Sequence, residues 1–199
     1  MRITELFDNG EFVVSAEVGP PKGIHIDGMV EEAKKYLTGV HFVNVTDNQS
    51  SVMRLGSLAT CKVLKDAGLN PIFQLTCRDR NLNATKALLL GLYAEGVREV
   101  LAITGDPIPT AERDEVKNVY QFNSRKLAQY IVSLAGEDRE MPTPMTVFGA
   151  LNLNARNFDV ELRRAGEKLE NGMSGFLTQP VLSAQAVENL RKARQTLGE

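Results

Sequence analysis

Two carboxylates stand where an apolar run of the chain breaks into a rigid turn. Glu17 lies at the end of the run 12–18, "FVVSAEV", just ahead of Gly19-Pro20-Pro21-Lys22. The proline pair fixes φ at two successive positions and stops an extended segment abruptly. A carboxyl held between an apolar strand and such a turn is expected to be partly desolvated, which raises its pKa and suits it to general acid work. The competing reading is a solvated glutamate at a strand end. Asp106 sits in "LAITGDPIP", between the breakers Gly105 and Pro107. Gly-Asp-Pro is a turn signal in its own right, because aspartate bonds to its own nearby backbone. Turn chemistry and a negative charge held above a strand end both account for it.

Two further side chains follow the same logic. Gln179, in "FLTQP", ends an apolar run before Pro180 and can both donate to and accept from a ring ligand; it can equally cap the strand. Lys168, in "RRAGEKLENG", reads as a solvated helix lysine, unless its helix packs beside the site and directs it to a phosphate. No lysine falls inside an expected strand, which weakens a Schiff-base reading; Lys22 is the nearest candidate. The chain carries no G-x-S-x-G elbow and no P-loop.

The elements that must position these residues alternate strand and helix. Strands are expected at 12–18, 40–46, 71–77, 99–104, 145–151 and 175–179. Helices are expected at 27–37, 53–68, 83–96, 124–136, 158–172 and 183–198, with Asp27 and Ser183 as N-caps and Gly68 closing the second. A polar loop spans 105–120. Six βα units of this kind predict an α/β fold with a parallel sheet buried on both faces. A doubly wound sheet and a (β/α)8 TIM-type barrel compete. A doubly wound sheet gathers its site at one switch point, whereas a barrel uses every strand end. Polar residues follow all six runs (Glu17, Thr46-Asp47-Asn48, Thr76, Asp106, Asn152 and Gln179), and no G-x-G-x-x-G follows the first. Both observations favour the barrel, although strand ends meet water in any protein. A barrel of this type takes about 250 residues. With only six units, residues 1–199 are expected to be a C-terminally incomplete barrel domain. Its first and last strands would be edges that a second copy or further chain must cover.

Composition narrows the classes. The 199 residues are 43% hydrophobic and 24% charged, with net charge −2. This predicts a globular core and argues against a nucleic-acid footprint. No apolar run approaches the roughly 18 residues of a membrane span, and the polar N-terminus lacks the apolar region of a signal peptide. Cys61 and Cys77 fit no metal spacing and are expected to be reduced thiols of a cytoplasmic protein. With only His25 and His41 as histidines, no metal site is expected.

Taken in order, "AEVGPPK", "VNVTDN", "QLTCRDRN", "LAITGDP", "LRRAGEKLENG" and "GFLTQPV" resemble the methylenetetrahydrofolate reductases. The segment from "GALNLNARNFD" onward is most similar to reductase modules fused to a homocysteine methyltransferase domain. The resemblance implies a flavin-containing (β/α)8 barrel. Such an enzyme reduces 5,10-methylenetetrahydrofolate to 5-methyltetrahydrofolate with electrons from NAD(P)H, as part of methionine biosynthesis. It also implies that Glu17 is the general acid and that Asp106 lies beside flavin and pterin. Gln179 would contact folate, and Thr46, Gln74, Ala150, Asn152 and Lys168 would contact the flavin. Gln74 replaces a common histidine, Thr104 a common arginine, and Glu167 a basic residue. These departures leave open FMN instead of FAD, and a protein electron donor instead of a nicotinamide. The alternatives are a catalytically incomplete barrel that serves as a flavin- or partner-binding module, and another small-molecule lyase on a similar barrel.

Overall fold

The computed structural model describes residues 1–110 and 114–198. Residues 111–113 of the expected polar loop, and Glu199, lie outside the described residues. The elements run α1 (Ile3–Asp8), β1 (Ser15–Val18), α2 (Asp27–Tyr36), β2 (Phe42–Val45), α3 (Ser57–Asp66), β3 (Pro71–Thr76), α4 (Leu82–Ala94), β4 (Glu99–Ile103), α5 (Ser124–Ser133), β5 (Thr146–Leu151), α6 (Phe158–Glu170), β6 (Gly175–Thr178) and α7 (Ala184–Leu197). A short 3₁₀ turn at Gln49–Ser51 separates β2 from α3.

The six strands form one parallel sheet in the order β1-β2-β3-β4-β5-β6. The order never reverses, so a doubly wound sheet is excluded. Right-handed crossovers that always step the same way leave every connecting helix on one face. Val43, Val45, Phe73, Leu75, Val100, Ala102 and Val147 pack there with Cys61, Leu64, Leu89, Leu92, Leu127 and Ile131 from the helices. The opposite face is the concave interior of a curled half-barrel, where Phe42, Ile72, Leu101 and Phe148 form a separate apolar cluster. β1 and β6 are the edges, and their residues are the least buried of the sheet. This explains why β1 starts at Ser15 rather than residue 12. Phe12 is 88% exposed and Val14 is also exposed; the Val14 carbonyl accepts from the His41 N–H, but the residue-by-residue pairing with β2 begins at Ser15.

Several helix starts follow from local chemistry. The side chains of Asn81, Asn123, Asn157 and Ser183 accept the backbone N–H of Ala84, Lys126, Val160 and Ala186. Each satisfies a donor that the first turn leaves orphaned. Asp27, expected as a cap, is instead the first helical residue; Ile26 holds the cap position with no side-chain bond. α3 starts at Ser57 rather than residue 53, because the chain first makes the 3₁₀ turn and then an extended Gly56.

The helix α1 was not anticipated. It buries Ile3 and Leu6 against Phe42, Ile72, Leu101 and Phe148, closing the end of the interior at which the strands begin. Arg2 fastens it there, donating to Glu99 Oε1, Thr146 Oγ1 and the Pro144 carbonyl. The mouth at the other end stays open. Among the described residues no helix is long and apolar enough to cross a membrane, and no three His, Cys, Asp or Glu side chains gather as a metal ion would need.

Candidate functional site at the strand ends

Because the strands are parallel, their C-terminal ends and the loops that follow share one side. A cavity of about 280 Å³ opens there, with Asp47, Gln74, Arg78, Asp106, Ala150 and Gln179 among its lining residues. Four of the expected site residues, Gln74, Asp106, Ala150 and Gln179, thus meet in one place from β3, β4, β5 and β6. Gln74 and Ala150 are carried on the strands. Asp106 and Gln179 stand on the loops beyond them. The Asp106 carboxylate is exposed, while its backbone carbonyl accepts from Arg78 and Tyr120. Gly105 brings Asp106 to this position with φ at +89°, and a Cβ there would lie 3.2 Å from Thr76 Cβ and 3.3 Å from Arg78 Cβ. Only glycine tolerates both that angle and that approach.

A second cavity of about 290 Å³ is lined by Thr104, Asn123, Ser124, Arg125, Glu161, Arg164 and Lys168. It shares a wall with the first. Thr104 separates Ile103 from Gly105, which line the mouth, and Lys168 Nζ donates to the Ala150 carbonyl. Lys168 is therefore not the solvated helix lysine of the simpler expectation. Burial pushes its ammonium below the ordinary lysine value; Glu161 opposes the shift, and Arg125 and Arg164 add to it. Three cations thus surround the start of α5, whose free N–H groups also favour an anion. Arg125 and Arg164 supply positive charge in a region where Thr104 and Glu167 lack it; Glu167 itself pairs with Arg125.

The remaining expected residues stand apart from both cavities. Glu17 lies on the concave face of β1, where Asn44 Nδ2 donates to its Oε2 at 2.9 Å. It is exposed, so the desolvation expected from the Pro-Pro turn is not formed. The reason is its place on an edge strand, with a neighbour on one side only. Thr46 is 1% exposed and its Oγ1 has no hydrogen-bond partner; it sits beneath Gly19. Asn152 is exposed and folded into its own turn, donating its N–H to Glu161 Oε1 and accepting from the Asn154 N–H.

Two residues of the mouth, Asp47 and Arg78, were not proposed as site residues from the sequence. Asp47, 2% exposed, accepts two bonds from Arg80, at 2.5 and 3.0 Å, and two more from Thr76. Arg78 is also 2% exposed. The signal was present as "CRDR" after β3, an alternation of charges too dense for a solvated strand end. Only the loops folded over it show why Arg78 is buried while Asp79 and Arg80 stay partly exposed. Cys77, beside them, has its thiol pushed up to about 12 by burial and is not a nucleophile here.

A sequence model of one protein family, described as Methylenetetrahydrofolate reductase, matches residues 2–198. No curated protein matches the chain. Several solved structures share its fold. One is an uncharacterized protein from Clostridium thermocellum that binds two copies of 5-methyl-5,6,7,8-tetrahydrofolic acid. It has TM-score 0.62 and 14% identity, over 97% of this chain and 64% of its own. A 2,3-dimethylmalate lyase of the PEP mutase/isocitrate lyase superfamily gives 0.63 and 12%, over 98% and 65%. A phosphonopyruvate hydrolase gives 0.61 and 11%, over 96% and 68%. At these identities the likeness is one of fold, which is TIM-barrel-like with six strands present. The chain spans 64% of the first of these structures.

Proposed function

The chain belongs to the methylenetetrahydrofolate reductase family, and from that we propose that residues 1–199 form a flavin-dependent reductase domain acting on 5,10-methylenetetrahydrofolate. The product is 5-methyltetrahydrofolate, the electrons come from NAD(P)H, and the setting is cytoplasmic. The observation that carries this reading is the meeting of Gln74, Asp106, Ala150 and Gln179 in one cavity beside a cationic one.

The donor set fits a flavin nucleotide. Gln74 and the Ala150 backbone offer groups for a hydrogen-bonding ring, and Lys168, Arg125 and Arg164 offer charge for phosphate; Thr46, buried outside both cavities, is not among them. FAD is the proposed form, with FMN the alternative. A bound flavin supplies the electron pair for the reduction.

The chain's own groups do the rest. Reduction at the methylene carbon requires the five-membered ring of the substrate to open, and opening needs a proton on the departing nitrogen. Glu17 is the proposed donor of that proton. A folate seated along β1 would strip the water that now hydrates its carboxyl, the condition general acid work requires. Asn44 holds the carboxyl on the concave face meanwhile. Asp106 places a fixed negative charge at the mouth, where it stabilises the cation that ring opening creates. Gln179 orients the pterin by donating and accepting hydrogen bonds.

Glu17 lies outside the mouth cavity, which favours one further reading: a domain that binds flavin or folate without turning over. Titration of the purified protein with FAD and FMN, followed by methylenetetrahydrofolate under anaerobic reduction, separates the two. Turnover supports the reductase, and binding alone supports the module.

A further inference from the structure

The guanidinium of Arg78 lines the mouth and belongs to the largest fully buried side chain among the described residues. A guanidinium has five N–H donors, and all of them are spent within the chain. Nε donates to Asp79 Oδ1 at 2.6 Å and Nη2 to Asp79 Oδ2 at 2.7 Å. Nη2 also donates to the Asn48 carbonyl at 3.2 Å. Nη1 donates to Ser51 Oγ at 2.8 Å and to the Asp106 carbonyl at 3.2 Å. Nothing is left over for a ligand, so Arg78 is not a phosphate or carboxylate receptor despite its position.

What it holds are the loops on either side. Asn48, Ser50 and Ser51 have φ of 45°, 56° and 63°, the left-handed region that non-glycine residues rarely occupy. Such a turn persists only where its surroundings over-determine it. Here Arg78 pins it at Asn48 and at Ser51, and Ser51 Oγ passes the connection to the Pro107 carbonyl at 3.2 Å. The Arg78 backbone carbonyl accepts from the Val119 N–H at 2.8 Å, and the Tyr120 hydroxyl returns to the Asp106 carbonyl at 3.2 Å. Asp106 is thus held through its backbone, which leaves its carboxylate free to act.

We infer that Arg78 is the positioning residue of the mouth: it locks the loops after β2 and β4 to each other and so fixes where the Asp106 carboxylate stands. The inference rests on the role proposed above for Asp106, but its structural half does not.

Arg78→Lys keeps a charge but offers three N–H groups on a flexible stem, too few and too mobile to bridge two loops. The variant is expected to melt cooperatively. Hydrogen exchange should accelerate by about tenfold or more at 48–52 and 105–106 together, with the strand amides of β4 unchanged. Flavin affinity should stay within about threefold, while the folate half-reaction falls by about 10²-fold. Adding Asp106→Asn should cost no more, because both changes remove the same placed charge. Unaltered exchange in the two loops, or fully additive losses, overturns the inference. If the protein takes up no flavin, the function proposed above fails, and exchange alone still decides the role of Arg78. If Arg78→Lys does not fold, Ser51→Ala removes one of the five acceptors and is measured in the same way. Faster exchange confined to 48–52 and 105–106 supports the inference, and unchanged exchange overturns it.

Discussion

Lys168 donates from Nζ to the carbonyl oxygen of Ala150, so a helix residue reaches the fifth strand at the wall between the two cavities. One of its three N–H groups is spent there, and two remain for a ligand. Its charge stands beside those of Arg125 and Arg164, and its side chain also lies over the Phe176 ring.

Lys168→Met should therefore weaken flavin nucleotide binding by about 10- to 100-fold, the value of a hydrogen bond to a charged group. Fluorescence titrations with FMN and FAD measure it. The pH dependence has a definite sign. Burial lowers the Lys168 pKa, so the empty pocket loses this charge at a lower pH than an ordinary lysine would. Parent affinity should fall as pH rises through that lowered value, and the variant should stay flat over the same range. Equal affinities and equal profiles would remove Lys168 from the site.

Glu17→Gln preserves shape and removes the proton. It should bind flavin as the parent does and lose reduction of methylenetetrahydrofolate by about 10²-fold or more, as expected for a general acid. Rapid-mixing measurement of the folate half-reaction checks this. An unchanged rate would return Glu17 to the role of a solvated edge residue.

Asp106→Asn removes the charge while leaving the turn, because Arg78 and Tyr120 bond to the backbone carbonyl and not to the carboxylate. The folate half-reaction should slow by about 10²-fold and the flavin potential should shift, with the melting temperature nearly unchanged. A loss of stability without either effect would leave only the turn.

Glu99 sets a pH dependence of folding. Burial raises its pKa above the ordinary carboxylate value; bonds from Thr146 and Ile3 and the charge of Arg2 offset only part of this. Its Oε2 is buried with no hydrogen-bond partner. The stability tied to this group is complete below the ordinary carboxylate range and is lost as pH rises through the raised value. A tenfold difference in proton affinity between the folded and unfolded chain corresponds to about 1.4 kcal/mol. Urea unfolding from pH 4 to 8 should show Glu99→Gln gaining on the parent across that window. A constant difference would contradict it.

The strands were legible because both their faces are covered. Pro71–Thr76 reads as a strand since Ile72 fills the interior while Phe73 and Leu75 meet the helices. Sequence pattern was silent on α1, which has only Ile3 and Leu6 to mark it; their partners come from β2, β3, β4 and β5. Glu17 was expected to be partly desolvated at its strand end, and it is exposed. Its exposure depends on which strand is the edge, a property of the whole sheet and not of the Pro-Pro turn beside it. Of the four residues that meet in the mouth, Asp106 and Gln179 were read from their strand ends, and Gln74 and Ala150 came only from the family resemblance. Arg78 was passed over because its four partner residues are spread from Asn48 to Asp106.

The central claim is that the paired cavities hold a flavin that serves folate reduction, and an absorbance spectrum tests it most directly. The purified protein, supplied with FAD or FMN and desalted, should retain a yellow chromophore. Once bleached by anaerobic reduction, that chromophore should return on addition of methylenetetrahydrofolate. A protein that stays colourless after reconstitution with either flavin would contradict the account.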